Sequence, residues 1–290
     1  MISKSLTTRE VARLCRVSNA TVKRWEDAGL INSERTSGGH RRFRAEEVAR
    51  FQREQNLGLK LKHGDESVVR AGARRTENGN HSDSSLFHSL VAGAEAEAAN
   101  GLIAAHLHGN PLTDIFDDLI CPAMNRVGEL WYKGELSIAQ EHLATRTAQY
   151  AIHTLRRVLT VPEMTGELAM CCGIEGDFHD LPSHLAQMTI ENEGWEVLNF
   201  GANMPLHSLT EEVLRHSPEL ICVSATLIPD IERISRDYKD FRERIGKLKI
   251  PVIVGGRAFS DGQIRNRFPA EFYAESFKDV AGFVRNIPRK

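Results

Sequence analysis

From residue 166 onward, short apolar runs alternate with stretches of helical spacing, and this alternation restricts the fold more than any other feature of the chain. Leu168 to Ile174, Glu196 to Phe200, Leu220 to Val223 and Ile250 to Val254 read as strands. Ser183 to Gly194, Leu206 to His216 and Asp230 to Lys247 read as the helices between them. Phe272-Tyr273 begins a last short strand, followed by a helix at Asp279 to Ile287. Strands separated by helices cannot pair as hairpins. They lie parallel, apolar on both faces, and the helices cover the sheet. Five such units predict a flavodoxin-like, doubly wound parallel sheet over residues 166–290.

Open sheets of this kind bind ligands beyond the carboxyl ends of their strands. Three groups fall there. Asp177 and His179 follow the first strand, in Glu175-Gly176-Asp177-Phe178-His179-Asp180-Leu181-Pro182. In Asp-x-His the carboxylate can hold one imidazole nitrogen and leave the other to coordinate a metal. An ordinary loop with a solvated His is the competing reading. Ser224 and Thr226 follow the third strand, and Gly255-Gly256 the fourth. Small and hydroxylated residues at these places leave room for a bulky ligand. No Gly-x-Gly-x-x-Gly follows the first strand, so a dinucleotide is a poor fit.

Residues 85–162 have a different period. Leu86 to Ala99 and Leu102 to His108 read as helices broken at Asn100-Gly101. Leu112 to Trp131 is a longer amphipathic stretch with Ile115, Leu119, Ile120, Met124, Val127 and Leu130 on one face. Ser137-Ile138-Ala139-Gln140 is a capping box opening a helix to about Leu159. Short connections make this a four-helix bundle. Trp131 ends the third helix, and Glu141-His142 lie near the start of the fourth, at one end of the bundle. A Trp closing the core beside a surface Glu-His pair is the competing reading.

The formal net charge of −2 hides an asymmetry. Residues 1–62 carry 14 Lys and Arg against 7 Asp and Glu, a net of +7, and the remainder is acidic. A basic head on an acidic body suits a polyanionic partner. Thr7-Thr8-Arg9-Glu10 is a capping box before a short helix, Val11 to Arg16. Ser18 or Asn19 caps a second, Ala20 to Ala28, which Gly29 stops. Its pattern exposes Thr21, Lys23 and Arg24 and turns Val22 and Trp25 inward. Gly38-Gly39 suits a hairpin turn, and the basic run after it suits a wing lying on phosphates. Ala45 to Asn56 reads as a closing helix. This head predicts a winged helix-turn-helix, with a basic protein-binding module as its rival.

Residues 63–84 are rich in Gly, Ser, Asn, Asp and Arg and read as a flexible linker. The five cysteines show no Cys-x-x-Cys spacing, which points to reduced, buried thiols. Together with the lack of a signal-peptide core or membrane-length apolar run, this leads us to expect a cytoplasmic protein.

The head resembles the MerR family of regulators in "TVKRWEDAGLI" followed by "RTSGGHRRF". The resemblance implies that Thr21, Lys23 and Arg24 enter the major groove of double-stranded operator DNA. It also makes His40, Arg41, Arg42 and Phe43 the wing contacts. The sheet domain resembles the cobalamin-binding domain of methionine synthases, corrinoid proteins and mutases, through Asp177-Phe178-His179, Ser224-Ala225-Thr226 and Gly255-Gly256. That implies His179 as the lower cobalt ligand, oriented by Asp177, with the nucleotide tail passing Ser224, Thr226 and the Gly pair. Pro182 stands where that pattern has Gly. It adds bulk along the path of the tail and keeps another corrinoid or haem open. With Trp131, nine residues, then Glu141-His142, the whole order resembles CarH-type photoreceptors. The resemblance implies adenosylcobalamin as cofactor and packing of Trp131 and Glu141 around the adenosyl group. It makes His142 the upper ligand once that group has left.

The expected function is therefore a light-responsive repressor. In the dark it would assemble as a homo-oligomer, dimer or tetramer, on DNA, and light would release it. It would not be an enzyme. A regulator of the same architecture that works without light or ligand is the main alternative. A corrinoid methyl carrier or a mutase subunit is less compatible with the head.

Overall fold

The computed structural model describes residues 5–15, 17–54, 79–160 and 162–288. It divides into two compact units, residues 1–160 and 161–290.

In the first unit, β1 (Leu6–Thr7) leads into α1 (Thr8–Leu14) and α2 (Asn19–Asp27). The expected capping box is present: Thr7 caps the Glu10 amide, and Glu10 returns to Thr7. Ser18 is the cap of α2. Gly29, at φ +71°, ends α2 by sending the Leu30 amide back to the Trp25 carbonyl. The wing is β2 (Glu34–Arg35) and β3 (Arg41–Phe43), with strand order β1-β3-β2, all antiparallel. α3 (Ala45–Glu54) closes the head. Val11, Val22, Ile31, Phe43, Val48 and Phe51 form its core, with the Trp25 and Phe51 rings 4.8 Å apart. The expected end of the first helix at Arg16 and the end of the closing helix lie outside the described residues, as does most of the expected linker.

The bundle follows as α4 (Gly79–Val91), α5 (Glu95–Leu107), a third helix, and α8 (Ile138–Arg156). α4 begins inside the expected linker. The break between the first two helices lies at Gly93 and not at Asn100-Gly101. Gly93 takes φ +67°, and the Gly93 and Ala94 amides close the end of α4. Asn100 and Gly101 sit within α5, where burial of Ala98, Ala99, Leu102 and Ile103 outweighs the turn propensity of Asn-Gly. The third helix is continuous but not uniform. α6 (Leu112–Ile115) passes through a π-helical turn, Phe116–Ile120, into α7 (Cys121–Tyr132). Ser137 and Gln140 form the expected capping box of α8.

In the second unit β4 (Leu168–Gly173) is followed by α9 (Leu181–Glu191), β5 (Glu196–Asn199), α10 (Leu206–His216) and β6 (Leu220–Ser224). α11 (Ile231–Ile245), β7 (Val252–Gly255), α12 (Gly262–Arg265), β8 (Phe272–Ala274) and α13 (Phe277–Asn286) complete it. The five strands are parallel in the order β5-β4-β6-β7-β8. This is the flavodoxin-like arrangement, and the chain reverses its direction of winding between β4 and β6. One face buries Leu209, Val213, Tyr238 and Phe241 of α10 and α11. The other buries Ala186, Ile190, Val280 and Val284 of α9 and α13. β4 and β6 are covered on both sides, which explains their unbroken apolar character. The molecule thus combines α and α/β parts: a winged helix-turn-helix, a four-helix bundle and a doubly wound sheet.

Candidate functional site

The loop after β4 is built to hold one histidine. Asp177 is 1% exposed in its side chain, and its carboxylate accepts three N–H bonds. The His179 amide donates at 3.1 Å, the His179 ring through Nδ1 at 2.5 Å, and the Thr226 amide at 2.5 Å. Burial opposes ionisation of Asp177. The bonds from the His179 ring and the Thr226 amide outweigh it and hold the carboxyl below the ordinary aspartate range. An ionised Asp177 places the proton on Nδ1, so that Nε2 carries the ring's lone pair. The His179 side chain is half exposed. Because Thr226 follows β6, Asp177 also ties the ends of β4 and β6 together across the switch point.

The backbone of this loop is fixed from β5. Asn203, at φ +55°, accepts the Gly176 amide at 2.8 Å on its side-chain oxygen and donates its own amide to the Asp177 carbonyl at 2.8 Å. Gly176 lies at φ +82°, and a Cβ there would come within 2.6 Å of the Pro229 ring. Sequence reading missed Asn203. Its only signal is an Asn in the turn Gly201-Ala202-Asn203 after a strand, a position tolerant of positive φ.

Ser224 is buried, and its hydroxyl donates to the Cys172 carbonyl at 3.3 Å, so it staples β6 to β4. Gly256 lies at φ +100°, where a Cβ would stand 2.5 Å from the Ala225 carbonyl oxygen. Gly255 passes close to Ala274. The strand ends are therefore bare backbone, with Thr226 partly exposed beside them. Pro182 occupies the first turn of α9, where a missing amide costs the helix nothing. Phe178, beside His179, is exposed. A buried carboxylate orienting a half-exposed imidazole, next to strand ends that carry no bulky side chain, fits a cobalt corrinoid held through His179.

In the bundle, Gly134 at φ +75° ends α7. The Gly134 amide bonds the Trp131 carbonyl and the Glu135 amide bonds Leu130, which fixes Trp131 at the helix end. Trp131 remains 46% exposed and its neighbour Tyr132 is more so, an unusual placement for large aromatic residues. In the first turns of α8, Glu141 accepts the Thr145 hydroxyl at 2.8 Å and lies 3.6 Å from His142 Nε2. His142 itself is exposed.

In the head, Lys23, Arg24 and His40 are exposed, Thr21 is partly buried, and its hydroxyl lies 2.9 Å from Ser18 Oγ. Two residues expected as wing contacts are placed otherwise than the pattern suggested. Phe43 is 0% exposed: it pairs with Leu6 and faces the core, because alternation along β3 turns it away from solvent. Arg41 is 18% exposed in its side chain and ion-paired to Glu26 at 2.6 Å and Asp27 at 2.9 Å. Arg42, between them, enters no ion pair among the described residues.

Comparison with known proteins gives two family matches. Residues 7–43 match the MerR family regulatory protein model, and residues 84–156 match the B12 binding domain model, which thus covers the bundle. The chain is 23% identical over 281 residues to the HTH-type transcriptional repressor CarH of Myxococcus xanthus, spanning 89% of this chain and 91% of that protein. It is 20% identical over 176 residues to dimethylamine corrinoid protein 1 of Methanosarcina mazei, which covers 60% of this chain and 81% of that one. The solved monomethylamine corrinoid protein of Methanosarcina barkeri aligns with a TM-score of 0.59 at 20% identity, covering 73% of this chain and all of that one, a likeness of fold. Among the described residues no helix is long and apolar enough to cross a membrane. With a MerR-type head followed by a B12-binding domain, the chain resembles the CarH type of MerR-family regulator along nearly its whole length.

Proposed function

We propose that this protein is a cobalamin-dependent transcriptional repressor that binds operator DNA as a dark-assembled oligomer and leaves it in light. The observation that carries the reading is the buried Asp177 holding His179 by Nδ1 at the carboxyl end of β4, in a chain that also has a winged, basic head. His179 would hold the cobalt, with Asp177 fixing its tautomer and Asn203 fixing the loop. Ser224, Thr226, Gly255 and Gly256 are the residues that would receive the nucleotide tail. When bound, adenosylcobalamin supplies a cobalt–carbon bond that light breaks.

By the resemblance, the exposed Trp131 and Glu141 would sense the adenosyl group, and His142 would be the residue available to cobalt once that group has left. The switch rests on differential affinity: the same residues meet a ligand with or without its upper group, and only one form favours assembly. A single head meets few phosphates, so pairing heads through the rest of the chain raises apparent affinity by ~10²-fold or more through effective concentration. DNA contacts fall to Lys23, Arg24, His40 and Arg42, with Thr21 beside them. The protein acts by binding and not by turnover. The test follows oligomer mass and DNA retention of the adenosylcobalamin complex in darkness and after illumination.

A further inference from the structure

We propose that Arg41 is a positioning residue: its pairing with Glu26 fixes the wing against α2, and it supplies none of the salt-dependent phosphate binding. The proposal rests on the DNA-binding reading of the head and deepens it.

Glu26 is the point where four pieces of the head meet. It belongs to α2. It accepts the Ser33 hydroxyl from the turn before the wing at 2.8 Å. From β3, Arg41 Nε reaches it at 2.6 Å, and from β2 Arg35 approaches to 3.8 Å. The guanidinium of Arg41 also spans to Asp27 at 2.9 Å. One planar fork thus bridges two consecutive carboxylates of α2, which the single ammonium of a lysine cannot do in the same geometry. The Arg41 bond and then the Ser33 bond hold the Glu26 carboxyl below its usual range, and the same Glu26 bond raises the Arg41 guanidinium.

The wing itself is weakly tied. It is two residues of β2 against three of β3, with a loop closed by Thr36–His40 and Gly39–Thr36 backbone bonds. β3 is also held by β1 and by buried Phe43, but the edge strand β2 pairs with β3 alone over two residues, so a tie from β3 to a helix steadies the wing. The Arg41–Glu26 pair is that tie, and it joins the wing to the helix expected in the major groove. Its charge is spent twice over on carboxylates. A cation so neutralised releases no counterion from DNA, whereas Lys23, Arg24 and Arg42 have no ion pair among the described residues.

The full-length chain, assembled with adenosylcobalamin and kept in the dark, is titrated with mixed-sequence duplex DNA across a range of salt. Arg42→Ala is expected to reduce the slope of log affinity against log salt by ~0.9, the loss of one phosphate contact. Arg41→Ala is expected to weaken binding roughly tenfold at every salt with the slope unchanged, from loss of a charge-assisted bond that holds the wing. Glu26→Gln removes a negative charge, so electrostatics alone predicts tighter binding; the positioning role predicts weaker binding. In DNA-free protein, amide exchange at Thr36 and His40 should rise in Arg41→Ala while exchange in α1 stays as in the parent, which shows that the head is folded. A slope reduced as much by Arg41→Ala as by Arg42→Ala, or tighter binding by Glu26→Gln, overturns the proposal. So does unchanged exchange in the wing. A parent chain that binds no duplex refutes the DNA reading itself, and the exchange result then decides the role of Arg41 separately.

Discussion

Replacing Asp177 by Asn tests the histidine site with almost no change in volume. The native carboxylate accepts from the His179 amide, the His179 ring and the Thr226 amide. Asparagine offers one acceptor oxygen, and its amide group turns a donor toward a donor. At least one buried N–H is left without an acceptor, which costs about 1–3 kcal/mol of stability in the sheet domain. The imidazole also loses the partner that fixes its tautomer, a change worth ~10–100-fold in metal affinity, or about 1.4–2.8 kcal/mol. Dark titration with adenosylcobalamin, followed by absorbance, reads the second quantity, and urea unfolding of the ligand-free chain reads the first. The pH dependence has a definite sign. Because the folded-state pKa of Asp177 is depressed, its contribution is complete above the unfolded aspartate value near ~3.9 and is lost as pH falls through the folded value. The parent therefore loses stability in acid, and Asp177→Asn lacks that part of the acid limb. An Asn variant with parental affinity, parental stability and the same acid limb would refute the assignment.

Two further substitutions separate the parts of the site. Asn203→Ala removes the side-chain acceptor of the Gly176 amide and leaves an alanine at φ +55°; we expect about 1–3 kcal/mol loss of stability and weaker corrinoid binding. Asn203→Gly, which tolerates that φ but still lacks the acceptor for the Gly176 amide, should recover the strain part of the stability but not affinity, and equal recovery of both would limit Asn203 to a structural role. Trp131→Ala should bind cobalamin in the dark, since the His179 loop is intact, yet assemble poorly; dark gel filtration with normal assembly would make Trp131 a simple cap of the bundle.

The sequence disclosed the parts of this molecule that repeat or that bury a face. Alternation of apolar runs with helical stretches led to the parallel sheet, because strands covered on both sides must be apolar throughout. The capping boxes at Thr7 and Ser137 were legible because both partners lie three residues apart. Legibility failed where the partner lies far along the chain. Nothing local tells that Arg41 meets Glu26, or that Asn203 reaches back to Gly176. In Arg41-Arg42-Phe43 the residue types suggested a continuous basic contact. The pairing of β3 with β1 buries Phe43, and β3 lays Arg41 on α2, leaving Arg42 alone of the three without an ion pair or a buried ring. Asn100-Gly101 misled for the opposite reason: a strong local turn signal is overridden where its neighbours fill a helix interface. The Asp177-His179 pair was visible as a spacing, while the third bond, to Thr226, depends on sheet order.

The central claim is that one ligand-dependent assembly both forms in darkness and fails in light. A dark complex of the full chain with adenosylcobalamin is divided, and one half is exposed to green light. Light-scattering mass and retention of operator DNA are then measured on both halves. The proposal predicts that mass and DNA retention fall together in the lit half and persist in the dark half. A complex that keeps its mass and its DNA under illumination would contradict it.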